Sequence, residues 1–298
     1  MRKLILIIIL LASFCFTEEF KVVSPDQNIL VTISVEKNIY YSVKKGKTTI
    51  LHPSQIKMDI SKGILGQNPK IINSAKVSNQ NTIKPVVKQK SSAIDNDYRQ
   101  LEIDFNNWSL IFRAYNDGVA YRFKTSFAND ITVNSETIEY NFNQDRKIYF
   151  PEEESMYTHQ EREYKHLKLS EIGEKFSSIP VLVDFENGTK VFISESDLYD
   201  YPGFYLTGKE KSNTSLKAIF PHYPLKTEQT SDRDVPVKKY ADYLAITKGA
   251  RNFPWRLMII TDNDKELIES QMVYKLAQPC KMKATDWINP GKVAWDWW

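Results

Sequence analysis

Cysteine is almost absent from this sequence: only Cys15 and Cys280 occur among the 298 residues. Cys15 lies in an N-terminal segment that we expect to be removed on export, which would leave Cys280 alone. A single cysteine cannot form an internal disulfide bond, so the fold must be stabilised by its hydrophobic core. The composition suits such a core, because 42% hydrophobic and 26% charged residues are typical of a folded protein.

Glycine is scarce as well, with ten residues in the chain, and several catalytic motifs are missing. The sequence contains no glycine-rich phosphate loop, no Gly-x-Ser-x-Gly nucleophile motif and no His-Glu-x-x-His zinc motif. A large charge excess is also lacking, since 40 basic and 37 acidic residues leave a net charge of +3. Without a block of Lys and Arg residues to neutralise a run of phosphates, nucleic acid is not expected as a partner.

The N-terminus has the pattern of a secretory signal peptide. A basic start, Met1-Arg2-Lys3, precedes an apolar run over residues 4–16. That run has the length of a signal-peptide core and is too short for a membrane span of about 20 residues. We therefore predict a signal peptide at residues 1–17, a secreted or periplasmic location, and no membrane span after its removal. Residues 11–15 weakly resemble a bacterial lipobox, so a lipoprotein is the less favoured alternative.

Strand patterns dominate after residue 18. Many runs are rich in β-branched and aromatic residues and partly alternate apolar with polar positions, which would put one face in a core. Turn sequences rich in Asn, Asp and Gly separate them at short intervals. We therefore predict a mainly β fold, a large antiparallel β-sandwich over residues 18–278. The predicted strands cover residues 29–35, 99–105, 108–115, 119–123, 147–150, 180–185, 190–194 and 255–261.

One helix and two arginines complete the predictions for the sandwich. Residues 264–273 carry the best helical pattern, with Asn263 or Asp262 as the N-cap. Arg122 and Arg256 lie within apolar strands, where alternation could place either side chain inward. A buried arginine needs a carboxylate partner, and we expect both residues to be structural.

The C-terminal stretch differs from the rest. Residues 286–291 have the composition of a connection, and residues 292–298 form a short aromatic run that contains three tryptophans. A lone strand cannot satisfy its backbone hydrogen-bonding groups. We therefore predict that residues 279–298 are a linker and the opening strand of another domain.

The richest polar stretch is residues 151–164. If its second half is extended, His159, Glu161 and Glu163 share one face. Grouped carboxylates suit Ca²⁺, which takes about 6–8 oxygen ligands. From spacing alone, a solvated acidic loop is the stronger interpretation. A zinc site at His159 and His166 is not favoured, because no suitable third ligand is apparent.

Five motifs occur in order along the chain. They are SPD (24–26), YNDGVAYRF (115–123), ESDLYDYPG (195–203), FPWRLMII (253–260) and WINPGKVAWDWW (287–298). Together they resemble the N-terminal portion of glycoside hydrolase family 97, the calcium-dependent bacterial α-glucosidases and α-galactosidases. The resemblance extends from about residue 20 to the last residue, which makes it far more specific than any single motif.

The resemblance implies a sandwich of the mutarotase-like super-sandwich kind, followed by a catalytic (β/α)8 barrel and a small β-domain. Residues 292–298 would be the first strand of a truncated barrel, and the missing strands would be their packing partners. The catalytic carboxylates would lie in the absent part of the barrel, so none is assigned, and this chain would not turn over substrate. The closing motif looks more like the retaining α-galactosidase lineage.

The resemblance also implies site residues. In this family the sandwich contributes a glutamate to a Ca²⁺ site in the active site of the barrel, which indicates Glu161, with Glu163 as the fallback. Other calcium ligands would come from the barrel. Trp295, Asp296 and Trp297 could line the sugar pocket, although packing of the tryptophans in the barrel core is an equal alternative.

The predicted function is the N-terminal part of a secreted, calcium-dependent α-galactosidase or α-glucosidase. Its partners would be an oligosaccharide or α-glycoside substrate and the C-terminal barrel of the same protein. The alternative is a free-standing carbohydrate-binding β-sandwich without hydrolytic activity, in which the tryptophan tail would hold a glycan.

Overall fold

The computed structural model describes residues 17–87, 90–292 and 294, which form 23 strands and two short α-helices. Neither described helix has the length and hydrophobicity needed to cross a bilayer. The helices are α1 (Asp264–Glu269) and α2 (Met272–Leu276), and a 3-10 turn covers Leu169–Glu171. The strands are β1 (Glu18–Val23), β2 (Ile29–Val35), β3 (Ile39–Lys45), β4 (Thr48–Ile60), β5 (Gly63–Leu65), β6 (Asn73–Ile83), β7 (Ile94–Phe105), β8 (Trp108–Tyr115), β9 (Gly118–Ser126), β10 (Ile131–Asn141), β11 (Lys147–Phe150), β12 (Glu152–Glu153), β13 (Lys165–Lys168), β14 (Phe176–Ser177), β15 (Val181–Asp184), β16 (Lys190–Ser196), β17 (Tyr205–Gly208), β18 (Ser215–Ile219), β19 (Pro224–Thr227), β20 (Val237–Tyr240), β21 (Ala245–Thr247), β22 (Ala250–Asn252) and β23 (Trp255–Thr261).

Most of the strands belong to two large antiparallel sheets. The first sheet has the order β1-β2-β3-β4-β10-β18-β17-β14-β12, with β5 paired to β4 and β21 paired to β10. The second has the order β13-β11-β15-β16-β23-β9-β8-β7-β6, with β22 paired to β9. Strands β19 and β20 form a separate hairpin. The prediction of a mainly β fold built from large antiparallel sheets is confirmed.

The hydrophobic core lies between the two sheets. Buried side chains of the first sheet, such as Ile33, belong to one cluster with side chains of the second sheet, such as Leu101. Tyr41 on β3 contacts rings of the opposite sheet, with centroid distances of 6.0 Å to Phe112 and 5.3 Å to Tyr121. Interdigitation of the two inner faces is the packing expected of a β-sandwich.

Alternation and turn chemistry predicted several strands to the residue. Strands β2, β8, β11 and β23 have the predicted bounds. In β2 the buried positions alternate with half-buried ones, as a strand with one face in the core requires. Asn107, in the turn between β7 and β8, has a φ of 64°, a conformation that Asn tolerates better than most residues.

The predicted helix over residues 264–273 is interrupted. Asn263 caps α1 by accepting a hydrogen bond from the backbone N–H of Glu266 (3.0 Å), but Ser270 has an extended backbone and ends the helix. The hydroxyl of Ser270 donates to Asp117 (2.7 Å), in the turn between β8 and β9. Helix α2 then covers the outer face of the second sheet, where Met272 joins a second apolar cluster.

Arg256 joins the two sheets inside the sandwich. Its guanidinium is 1% exposed and donates to both carboxylate oxygens of Glu136 on β10, at 3.0 and 2.7 Å. It also donates to Glu195 on β16, the neighbouring strand of its own sheet. The prediction that an inward arginine needs a carboxylate partner therefore holds for Arg256.

Arg122 points to the outer face of the second sheet. Its guanidinium lies 4.2 Å from the ring of Trp255 and 3.3 Å from the carboxylate of Asp197. Asp197 also accepts hydrogen bonds from the backbone and side-chain N–H groups of Gln278, at 3.2 and 3.3 Å. Arg122 thus has a structural partner outside the core rather than inside it.

Two predicted segments fall largely beyond the described residues. The signal peptide predicted at residues 1–17 lies outside them apart from Thr17, and so do most residues of the strand predicted at 292–298. Cys280 is an exposed free cysteine.

Neutralising Glu195 should change how stability depends on pH. Burial, against the attraction of Arg256, raises the pKa of Glu195 to about 7 from an ordinary value of 4.5. Between these pH values the unfolded chain releases the proton and the folded chain keeps it, so the stability supplied by this group is lost as the pH rises. As the pH rises from about 4.5 to about 7, wild type should lose up to about 3 kcal/mol of free energy of unfolding that Glu195→Gln keeps, so the variant gains that much relative to wild type.

Urea unfolding of both proteins across that pH range measures this gain. Glu102→Gln, which removes a carboxylate paired with Lys124 on the surface (2.9 Å), controls for the loss of one negative charge. A difference between Glu195→Gln and wild type that does not change with pH would contradict the prediction.

Candidate functional site

The predicted metal ligands lie on a loop between β12 and β13, which we call the acidic loop (residues 154–164). Glu161 and Glu163 are both exposed on it. Gln160 has a φ of 59°, so the loop is not a continuous extended strand as the sequence interpretation assumed. Residues 159–163 are all exposed, and among them Gln160 and Arg162 also hydrogen-bond to the protein.

A buried carboxylate at the start of the loop holds it in place. The side chain of Glu153 is fully buried and accepts hydrogen bonds from the Nε of Arg162 (2.9 Å) and the hydroxyl of Thr158 (2.6 Å). Burial opposes ionisation of Glu153, but hydrogen bonds from Thr158, Arg162 and Ser178 outweigh it and lower the pKa of this carboxyl. Glu153 therefore remains ionised and fixes the loop through its hydrogen bonds to Thr158 and Arg162.

Further contacts fix the two ends of the loop. The hydroxyl of Tyr205 donates to the backbone carbonyl of Met156 (3.3 Å) and accepts from the side chain of Gln160 (3.4 Å). The hydroxyl of Tyr164 donates to the carbonyl of Pro180 (3.1 Å). The exposed side chains are thus carried by a backbone that the sandwich positions.

The Glu153–Arg162 ion pair also sets the electrostatics of the loop. Arg162 lies between Glu161 and Glu163 in the sequence, and an outward guanidinium could pair with either carboxylate. Its Nε is instead bound to Glu153. Both exposed carboxylates are thereby left to other cations.

The donor chemistry of the loop suits part of a calcium site. Glu161 and Glu163 offer carboxylate oxygens, the ligands Ca²⁺ prefers, whereas the described residues contain no group of three or more His, Cys, Asp or Glu side chains placed to hold a metal. His166 packs edge-on against Tyr149, with ring centroids 4.5 Å apart. The remaining oxygen ligands would have to come from water or from polypeptide outside the described residues.

The predicted sugar-binding residues Trp295, Asp296 and Trp297 lie outside the described residues.

An aromatic cleft adjoins the acidic loop. The sequence patterns did not predict this cleft. It has a volume of about 620 Å³ and brings together Met156 and Tyr157 from the loop, residues 200–202, residues 221–224, Asp130, Val237, Tyr240 and residues 244–248. These segments come from six parts of the chain. Residues 200–202 belong to the ESDLYDYPG motif noted in the sequence, but that motif does not indicate a cleft.

Comparison with known families gives one match over most of the chain. Residues 22–279 match the family model described as the glycosyl-hydrolase 97 N-terminal domain. A retaining α-galactosidase of Bacteroides thetaiotaomicron is 34% identical over 309 aligned positions, which cover 99% of this chain and 46% of that protein. The chain thus spans about half the length of this curated relative.

Solved structures show the same fold. A glycoside hydrolase family 97 enzyme from Pseudoalteromonas sp. strain K8, in complex with acarbose, superposes with a TM-score of 0.76 at 19% identity, covering 91% of this chain and 40% of that one. A β-arabinopyranosidase superposes with a TM-score of 0.70 at 20% identity, covering 87% and 43%. At these identities the likeness concerns the fold alone.

Removing the buried anchor should release the acidic loop. Glu153→Ala would leave Arg162 and Thr158 without their shared acceptor, and we expect a loss of about 1–3 kcal/mol in free energy of unfolding. Hydrogen exchange of the amides of residues 156–164 should become faster, while the core strands keep their protection. The exposed neighbour Glu154 provides the matched control, Glu154→Ala. Equal exchange rates in the two variants would show that Glu153 does not hold the loop.

Proposed function

Since this chain belongs to glycoside hydrolase family 97 and forms the N-terminal domain of that family, we propose that it is the sandwich portion of a secreted, calcium-dependent α-galactosidase. The observation that carries the proposal is its 34% identity with a retaining α-galactosidase over 99% of the chain. An α-glucosidase is the second candidate within the family. The related Pseudoalteromonas enzyme was solved in complex with acarbose, and this supports testing the α-glucosidase alternative as well.

The chain's share in the proposed reaction is to present carboxylate oxygens. The relative continues well beyond the matched segment, and we infer that the carboxyl groups which hydrolyse the glycosidic bond lie there. Two such groups suffice for glycoside hydrolysis, one as an acid and one as a base or nucleophile. The 298-residue chain would then be a non-catalytic part.

Glu161 is the proposed calcium ligand, with Glu163 as the alternative. Both are exposed on a loop that Glu153 fixes, and Arg162, the nearest cation in the sequence, is bound to Glu153. When bound, calcium would supply a fixed positive charge that orients sugar hydroxyls beside the glycosidic bond. The part played by this chain is to hold the carboxylate in position.

Three further features of the proposal rest on the sequence. Export rests on the signal-peptide pattern of residues 1–17. A sugar pocket that includes Trp295, Asp296 and Trp297 rests on aromatic stacking and hydroxyl binding. A C-terminal barrel as partner rests on the family resemblance and on the greater length of the relative.

Hydrolysis of nitrophenyl glycosides tests the proposed activity. The protein encoded by the intact gene and the 298-residue chain should be assayed side by side on α-galactoside, α-glucoside and β-galactoside. We expect the intact protein to prefer the α-galactoside and the 298-residue chain to hydrolyse none of them. Preference for the α-glucoside would overturn the choice of sugar, and absence of α-glycosidase activity from both proteins would overturn the proposed function.

Chelation and substitution of the loop glutamates test the metal proposal. In the intact protein, Glu161→Gln should weaken calcium binding and lower kcat/KM by about 100-fold, in the range found for removing groups that support a metal site. Chelator treatment should lower the activity of wild type, and added calcium should restore it.

Two substitutions on the same loop serve as comparisons. Glu163→Gln decides which of the two glutamates is the ligand. If Glu163 binds the calcium, this variant rather than Glu161→Gln should show the large loss of activity. Glu154→Gln, on the same loop, should leave calcium affinity unchanged. Full activity of both Glu161→Gln and Glu163→Gln would mean that these carboxylates are solvated surface charges.

A further inference from the structure

Three exposed tyrosines line the aromatic cleft. Tyr157, Tyr223 and Tyr240 are 55%, 46% and 49% exposed. Single exposed rings are common, but several exposed rings gathered in one place indicate a binding site. Their concentration in one concave site of about 620 Å³ is typical of a small-molecule binding site.

The ring of Tyr223 is held before any ligand arrives. Its backbone N–H donates to the carbonyl of Tyr243 (3.0 Å), and its own carbonyl accepts from Ala241 (2.9 Å). The ring stacks on that of Tyr243 at a centroid distance of 5.7 Å and an interplanar angle of 27°. Tyr243 therefore backs one face of Tyr223. Because Tyr223 lines the cleft and Tyr243 does not, the stacked pair presents Tyr223 rather than Tyr243 to a ligand.

Polar groups accompany the rings. His222 lies 2.8 Å through Nδ1 from the carbonyl of Ala241, and a carbonyl can only accept, so Nδ1 carries the proton. In neutral His222 the Nε2 is then an acceptor for a hydroxyl group. Asp130 and Lys248, which form an ion pair at 3.0 Å, add an acceptor and a donor at the same cleft.

We propose that the aromatic cleft binds a pyranose unit of a glycan, with Tyr223 and Tyr240 as stacking surfaces and His222 as a hydroxyl acceptor. A pyranose presents C–H bonds on its face and hydroxyl groups around its edge. The electron-rich face of a tyrosine attracts the former, and histidine, carboxylate and ammonium groups bind the latter. The charged lining residues are Asp130, Asp200 and Lys248, and this lack of excess positive charge suits a neutral ligand better than a phosphate.

The cleft is continuous with the proposed calcium loop. Tyr157, one of its lining residues, precedes Glu161 by four positions on the acidic loop. A sugar in the cleft would lie on the sandwich side of the proposed active site and could belong to the same glycan. The choice of α-galactosides as probes rests on the proposed function, whereas pyranose binding by the cleft does not.

Binding of sugars to the 298-residue chain, without its signal segment, tests the inference. Saturation-transfer NMR and calorimetry with raffinose, methyl α-galactoside and methyl α-glucoside should detect binding in the range of about 1 mM. Tyr240→Ala should weaken the affinity about tenfold, the loss expected when one aromatic contact is removed. Because Tyr240 is exposed, this variant should fold like wild type; Tyr223→Ala and His222→Ala provide independent variants.

Tyr274→Ala is the matched control, since Tyr274 is 46% exposed on α2, on the outer face of the other sheet. Absence of binding by the chain, or equal binding by wild type and all the cleft variants, would overturn the inference. Variants that leave sugar affinity unchanged but destabilise the intact protein would also overturn it and assign the cleft to a polypeptide contact. The proposed hydrolytic function would survive these results, because it is measured by turnover and chelation in the intact protein.

Discussion

The sandwich depends on the ion pair between Arg256 and Glu136, which joins its two sheets through the core. A guanidinium that is 1% exposed and a carboxylate that is 2% exposed would each be costly to bury alone. Two hydrogen bonds between them reduce that cost and also fix β23 relative to β10. Glu195 adds a second negative charge to a site with a single arginine, so the buried cluster carries an excess of charge. Desolvation by burial is the main cause of the raised pKa of Glu195, and repulsion by Glu136 adds to it, so that the attraction of Arg256 is outweighed.

The same principle, on a smaller scale, positions the candidate site. Glu153 is a buried carboxylate at the end of β12, and its partners Thr158 and Arg162 lie on the loop that follows, so these contacts tie the loop to the strand before it rather than joining two sheets. The Nε of Arg162 is bound to Glu153, and the neighbouring carboxylates are exposed. The acidic character of the loop surface is therefore a consequence of the buried contact. Spacing alone could not distinguish this arrangement from a solvated loop in which Arg162 pairs with its neighbours.

Sequence patterns predicted the strands better than the site for a physical reason. Alternation in β2 and the largely apolar run of β23 are local patterns, and they report a strand with one buried face and a strand buried on both faces. The interruption of the helix at Ser270 depends on Asp117, which is 153 positions away, and no local pattern contains that contact. The aromatic cleft likewise exists only once six separate segments meet. Family resemblance indicated Glu161, but it gave no information on Glu153 or Tyr205, which hold the loop through tertiary contacts.

Anchoring by Glu153 also links the two proposed sites. Tyr157 and Glu161 lie on one loop, on either side of Thr158, whose hydroxyl donates to Glu153. A displacement of the anchor would therefore move a ring of the cleft and a proposed calcium ligand together. Exposed carboxylates so close along the chain repel each other, and a bound cation would reduce that repulsion. Cation binding would therefore lower the cost of holding Glu161 and Glu163 on one anchored loop.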